Sequence, residues 1–301
     1  MYHCAFCQAL HAVSAAANAH DQPAPPDRGR RLFTGALLAG AMSPALAREG
    51  VEVGDQSSLA KLVPAEQIEG AAKQQYGEMI AQARAKNALA PDDHPQTVRL
   101  REIAKRIIPF SDNWNARAKQ WKWEVNLINS KELNAFCMPG GKIAFFSGIL
   151  RQLKLEDDEV AMIMGHEAAH ALREHARERL GKTMATRGGI EILSALLGLG
   201  STGRMMADLG GQLLTLKFSR SDESEADLVG MELGARAGYD PQAGVTLWEK
   251  MGEAAKGAPP QFLSTHPSGP SRIRDIQANL PRVQPLYARA PKPSRRFAVM
   301  T

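Results

Sequence analysis

The chain has 301 residues, of which 44% are hydrophobic and 23% charged, and its formal net charge is +5. This length and composition predict one or two globular domains with a sizeable core, rather than a disordered or fibrous protein. The positive charges are scattered and no run of Lys and Arg is interleaved with aromatic residues, so we interpret them as a solvated surface and expect no nucleic-acid partner.

Residues 1–47 are predicted to be a leader. Residues 1–27 have low complexity, and Cys4 and Cys7 there only superficially resemble a metal-binding pair, because nothing around them could pack a zinc knuckle. Residues 28–47 combine a basic start, an apolar run and a small-residue end, which is typical of a secretory signal cleaved after Ala47. Arg30 and Arg31 resemble a twin-arginine signal.

The leader predicts a periplasmic protein, either free or peripherally associated with a membrane. The apolar run is too short to span a bilayer comfortably, so we expect no integral membrane span in the mature chain. Cleavage would remove Cys4 and Cys7 and leave Cys137 as the only cysteine, so no internal disulfide is expected.

Residues 48–94 are predicted to form an N-terminal arm with a helix from Glu66 to Ala88. A second amphipathic helix is predicted from Val98 to Ile108, and a short helical stretch from Trp114 to Trp121. Alternating polarity then predicts a strand over residues 123–128.

The next segment predicts a turn at residues 139–141 and a second strand from Lys142 to Phe146. We expect the two strands to form a small antiparallel sheet packed on the helix that follows, in a mostly helical α+β fold. An edge strand could bind an extended peptide by β-augmentation, but an ordinary hairpin fits the sequence equally well. The candidate substrate-binding residues of this region are Asn134, Gly141, Lys142 and Ile143.

One long helix is predicted over residues 155–180, with acidic residues at its start and basic residues at its end. It carries His166, Glu167 and His170 in the pattern His-Glu-x-x-His. Two histidines four residues apart share a helical face and can bind one zinc ion, while the glutamate can reach a water on that metal. On a continuous helix His175 would point away from the metal, so we interpret it as a structural or surface residue.

Residues 182–217 contain an apolar stretch from Gly188 to Gly200, which we interpret as a buried helix or a flap over the cleft. Another helix opens at residues 218–230, where Glu223 and Asp227 share a face. Glu223 can complete a zinc site of two His and one Glu, and Asp227 can accept the free ring N–H of a ligand histidine. Glu225 competes with Glu223 as a ligand but has no Asp at the same spacing.

His266 lies in a loop rich in Pro and Gly that follows predicted helices at 228–237 and 241–256. It could polarise the scissile carbonyl, touch the metal or simply cap a turn, and the sequence leaves these roles open. Arg272 and Arg274 are candidates for binding a substrate carboxylate or backbone.

Four motifs occur in order along residues 95–281 and resemble one zinc metallopeptidase family. They are Asn134-Ala-Phe with Pro139-Gly-Gly, His166-Glu-Ala-Ala-His170, Ser219-Arg with Glu223-Ser-Glu-Ala-Asp227, and Ser264-Thr-His-Pro267. The family includes HtpX, the CAAX prenyl endopeptidase and the periplasmic β-barrel assembly-enhancing protease. The resemblance implies a gluzincin-type fold and endopeptidase activity.

The resemblance also implies one Zn²⁺ per chain with ligands His166, His170 and Glu223, Glu167 as the base, and Asp227 behind a ligand histidine. In periplasmic relatives the His-Pro loop can close over the metal, which His266 would do here. The family's membrane members have transmembrane helices that we do not expect in this chain, so their substrates do not transfer. We also expect no tetratricopeptide repeats after the domain, and therefore no recognition of partners by such repeats. Residues 282–301 are predicted to be a basic tail.

The sequence therefore predicts a periplasmic zinc endopeptidase for protein quality control, with catalytic residues Glu167 and His266. Its expected partners are peptide and protein substrates, namely misfolded or unassembled envelope proteins such as outer-membrane proteins. The alternative from another class is a zinc-stabilised chaperone or assembly factor with little proteolysis. An open fourth zinc position would argue against that alternative, because structural zinc sites are usually closed by four protein ligands.

Overall fold

A computed structural model describes residues 48–186, 213–214, 216–256, 261–267 and 270–301 of the chain. The leader with Cys4 and Cys7 and the apolar stretch from Gly188 to Gly200 lie outside the described residues. The helices are α1 (Ala65–Ala85), α2 (Pro95–Ile107), α3 (Ser147–Gln152), α4 (Asp157–Leu172), α5 (His175–Thr186), α6 (Arg220–Arg236), α7 (Ala243–Ala254), α8 (Gln261–Thr265) and α9 (Pro270–Arg289). Three 3-10 helices cover Ser58–Leu62, Ile108–Asn113 and Ala116–Gln120.

The sheet has three strands, β1 (Glu124–Ile128), β2 (Ala135–Met138) and β3 (Lys142–Phe146), in the order β1-β3-β2. The mostly helical α+β class is confirmed, but the sheet is mixed. β2 pairs with β3 in an antiparallel hairpin, whereas β1 runs parallel to β3. The sequence analysis missed β2 and therefore paired the wrong strands across the turn; β2 has only four residues, too few for its alternation to stand out.

The two faces of the sheet pack against different helices. Side chains alternate between faces along a strand, and here alternate residues enter separate hydrophobic clusters. Ala135, Cys137, Ile143 and Phe145 join the main core with α4. Met138 and Ala144 join a smaller cluster with Tyr76 of α1, and Phe136 packs against that cluster. The sheet therefore lies between α4 and α1, with β2 as an edge strand.

The predicted long helix over residues 155–180 is wrong, because it breaks after Leu172. Arg173 caps α4 and Glu174 has a φ of 60°, a left-handed conformation that ends a right-handed helix. A new helix, α5, starts at His175. The break changes the direction of the chain, so the helical-wheel argument that turned His175 away from the metal does not apply.

Helices α4 and α6 cross with their backbones in close contact at Gly165 and Gly230. A Cβ atom on Gly230 would lie 2.5 Å from the backbone nitrogen of His166, and one on Gly165 would lie 2.5 Å from the carbonyl oxygen of Gly230. Any larger residue at either position would push the helices apart. This contact brings the first two turns of α6, with Glu223 and Asp227, beside the two histidines of α4.

The start of α4 is held by a buried ion pair and a capping box. Arg99 of α2 donates from Nε to Asp157 Oδ1 at 2.6 Å, and the Arg99 side chain is fully buried. Glu156 and Glu159 cap the helix reciprocally.

At the C-terminal end of the sequence, helix α9 continues past residue 281, where the sequence analysis placed the end of the peptidase domain, and ends at Arg289. In the part of the chain that the structure describes, no helix is long and apolar enough to cross a membrane.

Candidate metal centre and active site

Four side chains from three parts of the chain converge on one point in the core. His166 and His170 come from α4, Glu223 from α6, and His266 from the residue after α8. One ligand atom from each lies within 4.8 Å of all the others. All four residues are buried, with exposed fractions of 4% or less.

The spacing of these atoms fits a tetrahedral zinc ion. Two nitrogen ligands at the usual Zn–N distance are about 3.3 Å apart in a tetrahedral site. The Nε2 atoms of His166 and His170 are 3.1 Å apart, and both lie 3.5–3.6 Å from the nearest carboxylate oxygen of Glu223. Burial lowers the pKa of the His170 imidazole well below its usual value, which favours the neutral form that binds metal.

His266 occupies the fourth corner of this cluster. Its Nδ1 atom lies 3.3 Å from His166 Nε2 and 3.1 Å from Glu223 Oε1. Phe262, one turn earlier, stacks on the His266 ring with centroids 4.4 Å apart and fixes its orientation. The structure thus brings His266 into the cluster rather than leaving it in a solvent-facing turn.

A buried ionic network lies behind His166. Asp227 Oδ1 accepts from His166 Nδ1 at 3.0 Å, which leaves His166 Nε2 free to face the cluster. Arg272 donates two hydrogen bonds to Asp227 at 2.6 and 2.7 Å, pairs with Glu223 at 2.6 Å, and lies over the Trp248 ring. Burial alone would raise the pKa of the Asp227 carboxyl, but Arg272 and His166 hold this pKa below its usual value.

The residue behind His170 is His175, which the sequence analysis had interpreted as structural or surface. The Nδ1 atoms of the two rings are 2.9 Å apart, and His175 is only 2% exposed. Glu225, the competing ligand candidate, points to this side: it pairs with Arg173 and lies 3.7 Å from His175 Nε2. Phe218 stacks on the His170 ring with centroids 3.9 Å apart. The helix break at residues 173–174 is the feature that brings His175 here.

Glu167 lies on the open side of the cluster, in a cleft of about 410 Å³. Its Oε1 atom is buried, has no hydrogen-bond partner among the described residues and lies 3.6 Å from His266 Nε2, so it is available to a water or a substrate. Burial raises the pKa of the Glu167 carboxyl, which suits a group that must accept and release a proton. Burial beside Glu167 also raises the pKa of Cys137, so this thiol stays protonated and is not a nucleophile.

The candidate substrate residues are placed in different environments. Asn134 lines the cleft. Gly141 lies at the turn between β2 and β3, against the Trp123 ring, and Lys142 and Ile143 are buried in the central strand, away from the cleft lining. Arg272 is fully engaged in the buried network, so it is not available to a substrate carboxylate. Arg274 is exposed on α9 and is absent from the described lining of the cleft.

Comparison with known proteins identifies the family. The model of peptidase family M48 matches residues 94–280, more than half of the chain. The chain belongs to peptidase family M48. This is a family of zinc metallopeptidases.

Several relatives are similar over half of the chain or more. The mitochondrial metalloendopeptidase OMA1 of Schizosaccharomyces pombe is 38% identical over 199 residues, which are 65% of this chain and 56% of that protein. The Arabidopsis thaliana OMA1 is 40% identical over 159 residues, 52% of this chain and 32% of that protein. The β-barrel assembly-enhancing protease of Escherichia coli is 32% identical over 174 residues, 54% of this chain and 36% of that protein. The chain therefore spans less than two thirds of each of these relatives.

Proposed function

We propose that the chain is a zinc endopeptidase in which His166, His170 and Glu223 hold the metal and Glu167 is the general base. The observation that carries the proposal is the position of Glu167. A buried carboxylate without a hydrogen-bond partner is costly to the fold, and here it borders both the ligand cluster and an open cleft. Family membership supports the same reaction class.

In this proposal each residue of the site has one role in peptide-bond hydrolysis. When bound, zinc supplies a Lewis acid that polarises the substrate carbonyl and lowers the pKa of a water. Glu167 takes a proton from the attacking water and delivers it to the leaving amine. Asp227 and His175 hold the far nitrogens of the two ligand histidines, so that both Nε2 atoms stay aimed at one point.

The edge of β2 that faces away from β3, which no other strand of the described residues pairs with, is the proposed binding site for an extended substrate. Phe146 donates its backbone N–H to the Asn134 carbonyl at 3.1 Å, so Asn134 and every second residue after it bond to β3. The backbone groups of the alternate residues, Ala135 and Cys137, then face the opposite edge, where the cleft lies. A substrate strand added at this edge would pass Glu167.

We propose that the described state is latent because His266 fills the fourth ligand position. Its Nδ1 atom is as close to the other ligand atoms as they are to each other. In this state the position that an attacking water needs is taken by the imidazole. Displacement of the His266 ring from the cluster would open the site. The competing role is that of a donor to the oxyanion, for which His266 would have to leave the cluster.

The same closure favours the second candidate function, a zinc-stabilised assembly factor. Four buried protein ligands are typical of structural zinc sites, so the expected argument against this alternative, an open fourth position, does not apply to this state. Glu167 separates the two candidates, since a structural site has no use for a buried carboxylate that borders the ligand cluster and the cleft and has an oxygen without a hydrogen bond.

Export to the periplasm, with misfolded or unassembled envelope proteins as substrates, is a further part of the proposal. It rests on the signal-like residues 28–47, which lie outside the described residues, and on the likeness to the β-barrel assembly-enhancing protease of Escherichia coli. The OMA1 relatives carry a mitochondrial name, so they lend this part no support. Fractionation of the native source with N-terminal sequencing tests it: a mature chain starting at residue 48 in the periplasm is expected, and a cytoplasmic full-length chain contradicts it.

The reaction itself is tested by casein degradation with and without metal. A purified chain with the substitution His266→Ala, which removes the proposed latency, should degrade casein, lose this activity with a chelator and regain it with added zinc. A chain that carries one zinc ion but never cleaves casein or short peptides, even with His266 replaced by Ala, would support the assembly factor instead.

A further inference from the structure

The cleft continues beyond Glu167 along the face of the sheet that packs on α1. Met79 of α1, Phe136 of β2 and Phe146 at the end of β3 line it there. All three side chains are only partly buried, and each packs against the small cluster around Tyr76. The Phe136 ring lies 6.4 Å from the Tyr76 ring and 6.2 Å from the Phe146 ring, centroid to centroid, so its position is fixed on two sides.

The pleat of β2 determines which substrate side chain would reach this surface. Side chains directly opposite each other on neighbouring strands point to the same face of a sheet. A substrate residue opposite Cys137 would therefore point towards α4 and the ligand cluster. The residue opposite Phe136, its immediate neighbour, would point towards α1 and contact Phe136, Phe146 and Met79.

The charge of the cleft narrows the kind of side chain that fits. The formal net charge of the chain is +5, yet the described lining of the cleft contains no Lys or Arg. Its only carboxylates are Glu132 and Glu167. An acidic substrate side chain would find no Lys or Arg partner among the described lining residues and would face two carboxylates, whereas an apolar side chain would cover partly exposed apolar surface.

We propose that Met79, Phe136 and Phe146 form a specificity subsite for a large apolar side chain of the substrate, next to the residue at the ligand cluster. The subsite selects extended segments that carry Phe, Leu or Met at that position and rejects Asp and Glu. Such segments are buried in folded proteins, so the subsite directs cleavage to unfolded chains. This inference rests on the proposed peptidase function.

The test uses fluorogenic peptides that are identical except at one position near the scissile bond, occupied by Phe, Leu, Ala, Lys or Asp. The enzyme is the zinc-loaded full-length chain with the substitution His266→Ala, so that latency does not limit the rate. We expect kcat/KM for the Phe and Leu peptides to exceed that for the Ala peptide by about tenfold or more at one position, as a few methylenes in an apolar pocket provide. The Asp peptide should be the poorest substrate.

Variants then assign the preference to the subsite. The preference is measured as kcat/KM for the Phe peptide divided by kcat/KM for the Ala peptide. Phe136→Ser should lower this ratio by about tenfold, Phe136→Leu should retain most of it, and Met79→Ala should lower it partly. Phe297→Ser, a matched change on the C-terminal tail outside the described lining of the cleft, should leave it unchanged. Zinc content and circular dichroism show whether each variant is folded.

The outcomes separate this inference from the proposed function. Cleavage of all peptides at equal rates, or an unchanged preference in folded Phe136→Ser, would overturn the subsite and leave the peptidase in place. If no peptide is cleaved, peptide binding to the Glu167→Gln variant, measured by fluorescence anisotropy, replaces the rate. Tighter binding of the Phe peptide than of the Ala and Asp peptides would support the subsite, and equal binding would contradict it.

Discussion

The Nδ1 atoms of His170 and His175 lie 2.9 Å apart in the core, although a continuous helix would have turned these rings in different directions. One of the two nitrogens must carry the proton of this hydrogen bond and the other must accept it. Because His170 Nε2 faces the ligand cluster, the ring needs its proton on Nδ1, so His175 Nδ1 is the acceptor. His175 thereby does for His170 what Asp227 does for His166.

Replacement of His175 should weaken zinc binding. His175→Ala removes the acceptor that orients His170, and loss of such a partner typically costs 10–100-fold in metal affinity, so we expect an effect of about that size. The measurement is the zinc dissociation constant by competition with a chelator. His94→Ala is the matched control, because His94 caps α2 away from the cluster and its loss should lower stability but not zinc affinity. Equal zinc affinity in both variants would show that His175 does not orient His170 for zinc binding.

The third ligand can be tested by comparing two neighbouring glutamates. Glu223→Ala removes a charged oxygen ligand and should abolish stoichiometric zinc binding. Glu225→Ala should retain zinc, because Glu225 pairs with Arg173 and faces His175 instead. Zinc content by mass spectrometry of the metal decides it, and the assignment fails if both variants carry the same amount. The Asp227→Asn variant should bind zinc about 10–100-fold more weakly than the unchanged chain, an effect between those of Glu223→Ala and Glu225→Ala.

The glycine contact between α4 and α6 should matter for zinc as well as for stability. Gly230→Ala places a methyl group 2.5 Å from a backbone nitrogen, and overpacking of this kind typically costs about 1–3 kcal/mol. Since the shift moves Glu223 away from the histidines, zinc affinity should fall too. Gly77→Ala is the control: apart from its own helix and its chain neighbours, no atom of the described residues lies within 4 Å of its added Cβ, and it should stabilise α1 by up to about 1 kcal/mol. Denaturant unfolding and zinc titration of both variants test this, and unchanged zinc affinity in Gly230→Ala would refute the positioning role.

His266→Ala should raise basal peptide cleavage at matched zinc content, because it vacates the fourth ligand position. If His266 instead donates to the oxyanion, its loss should lower kcat by about 10²–10³, as for other such donors. The substitution should therefore raise the cleavage rate if His266 is an inhibitory ligand and lower it if His266 is an oxyanion donor. An unchanged rate would contradict both.

The parts of the site that the sequence predicts are those carried by local spacing. His166 and His170 share a face because they are four residues apart within an unbroken part of α4, and Glu223 and Asp227 share a face for the same reason on α6. The convergence of α4 and α6 was expected from the ligand types, because Glu223 could complete the zinc site, and from the family resemblance. The physical cause, the contact between Gly165 and Gly230, joins residues far apart in the sequence.

The features that sequence reasoning missed depend on a break or on tertiary contacts. The position of His175 depends on the left-handed conformation of Glu174, and a charged residue there gives no signal of a helix end. Arg272 was expected to bind substrate, but it lies between Asp227 and Glu223, a contact across about 45 residues of chain. The short strand β2, which lines the cleft, was not predicted, because four residues are too few for an alternating pattern to stand out.

The most direct test of the proposed activity is the rate of peptide cleavage by Glu167→Gln at full zinc occupancy, with His266→Ala present in both the variant and its reference so that neither is latent. The substitution keeps the size of the side chain and removes the base. We expect one zinc ion per chain, as in the reference, and a rate lower by about a hundredfold or more. A zinc-loaded Glu167→Gln variant that cleaves as fast as the reference would contradict the account.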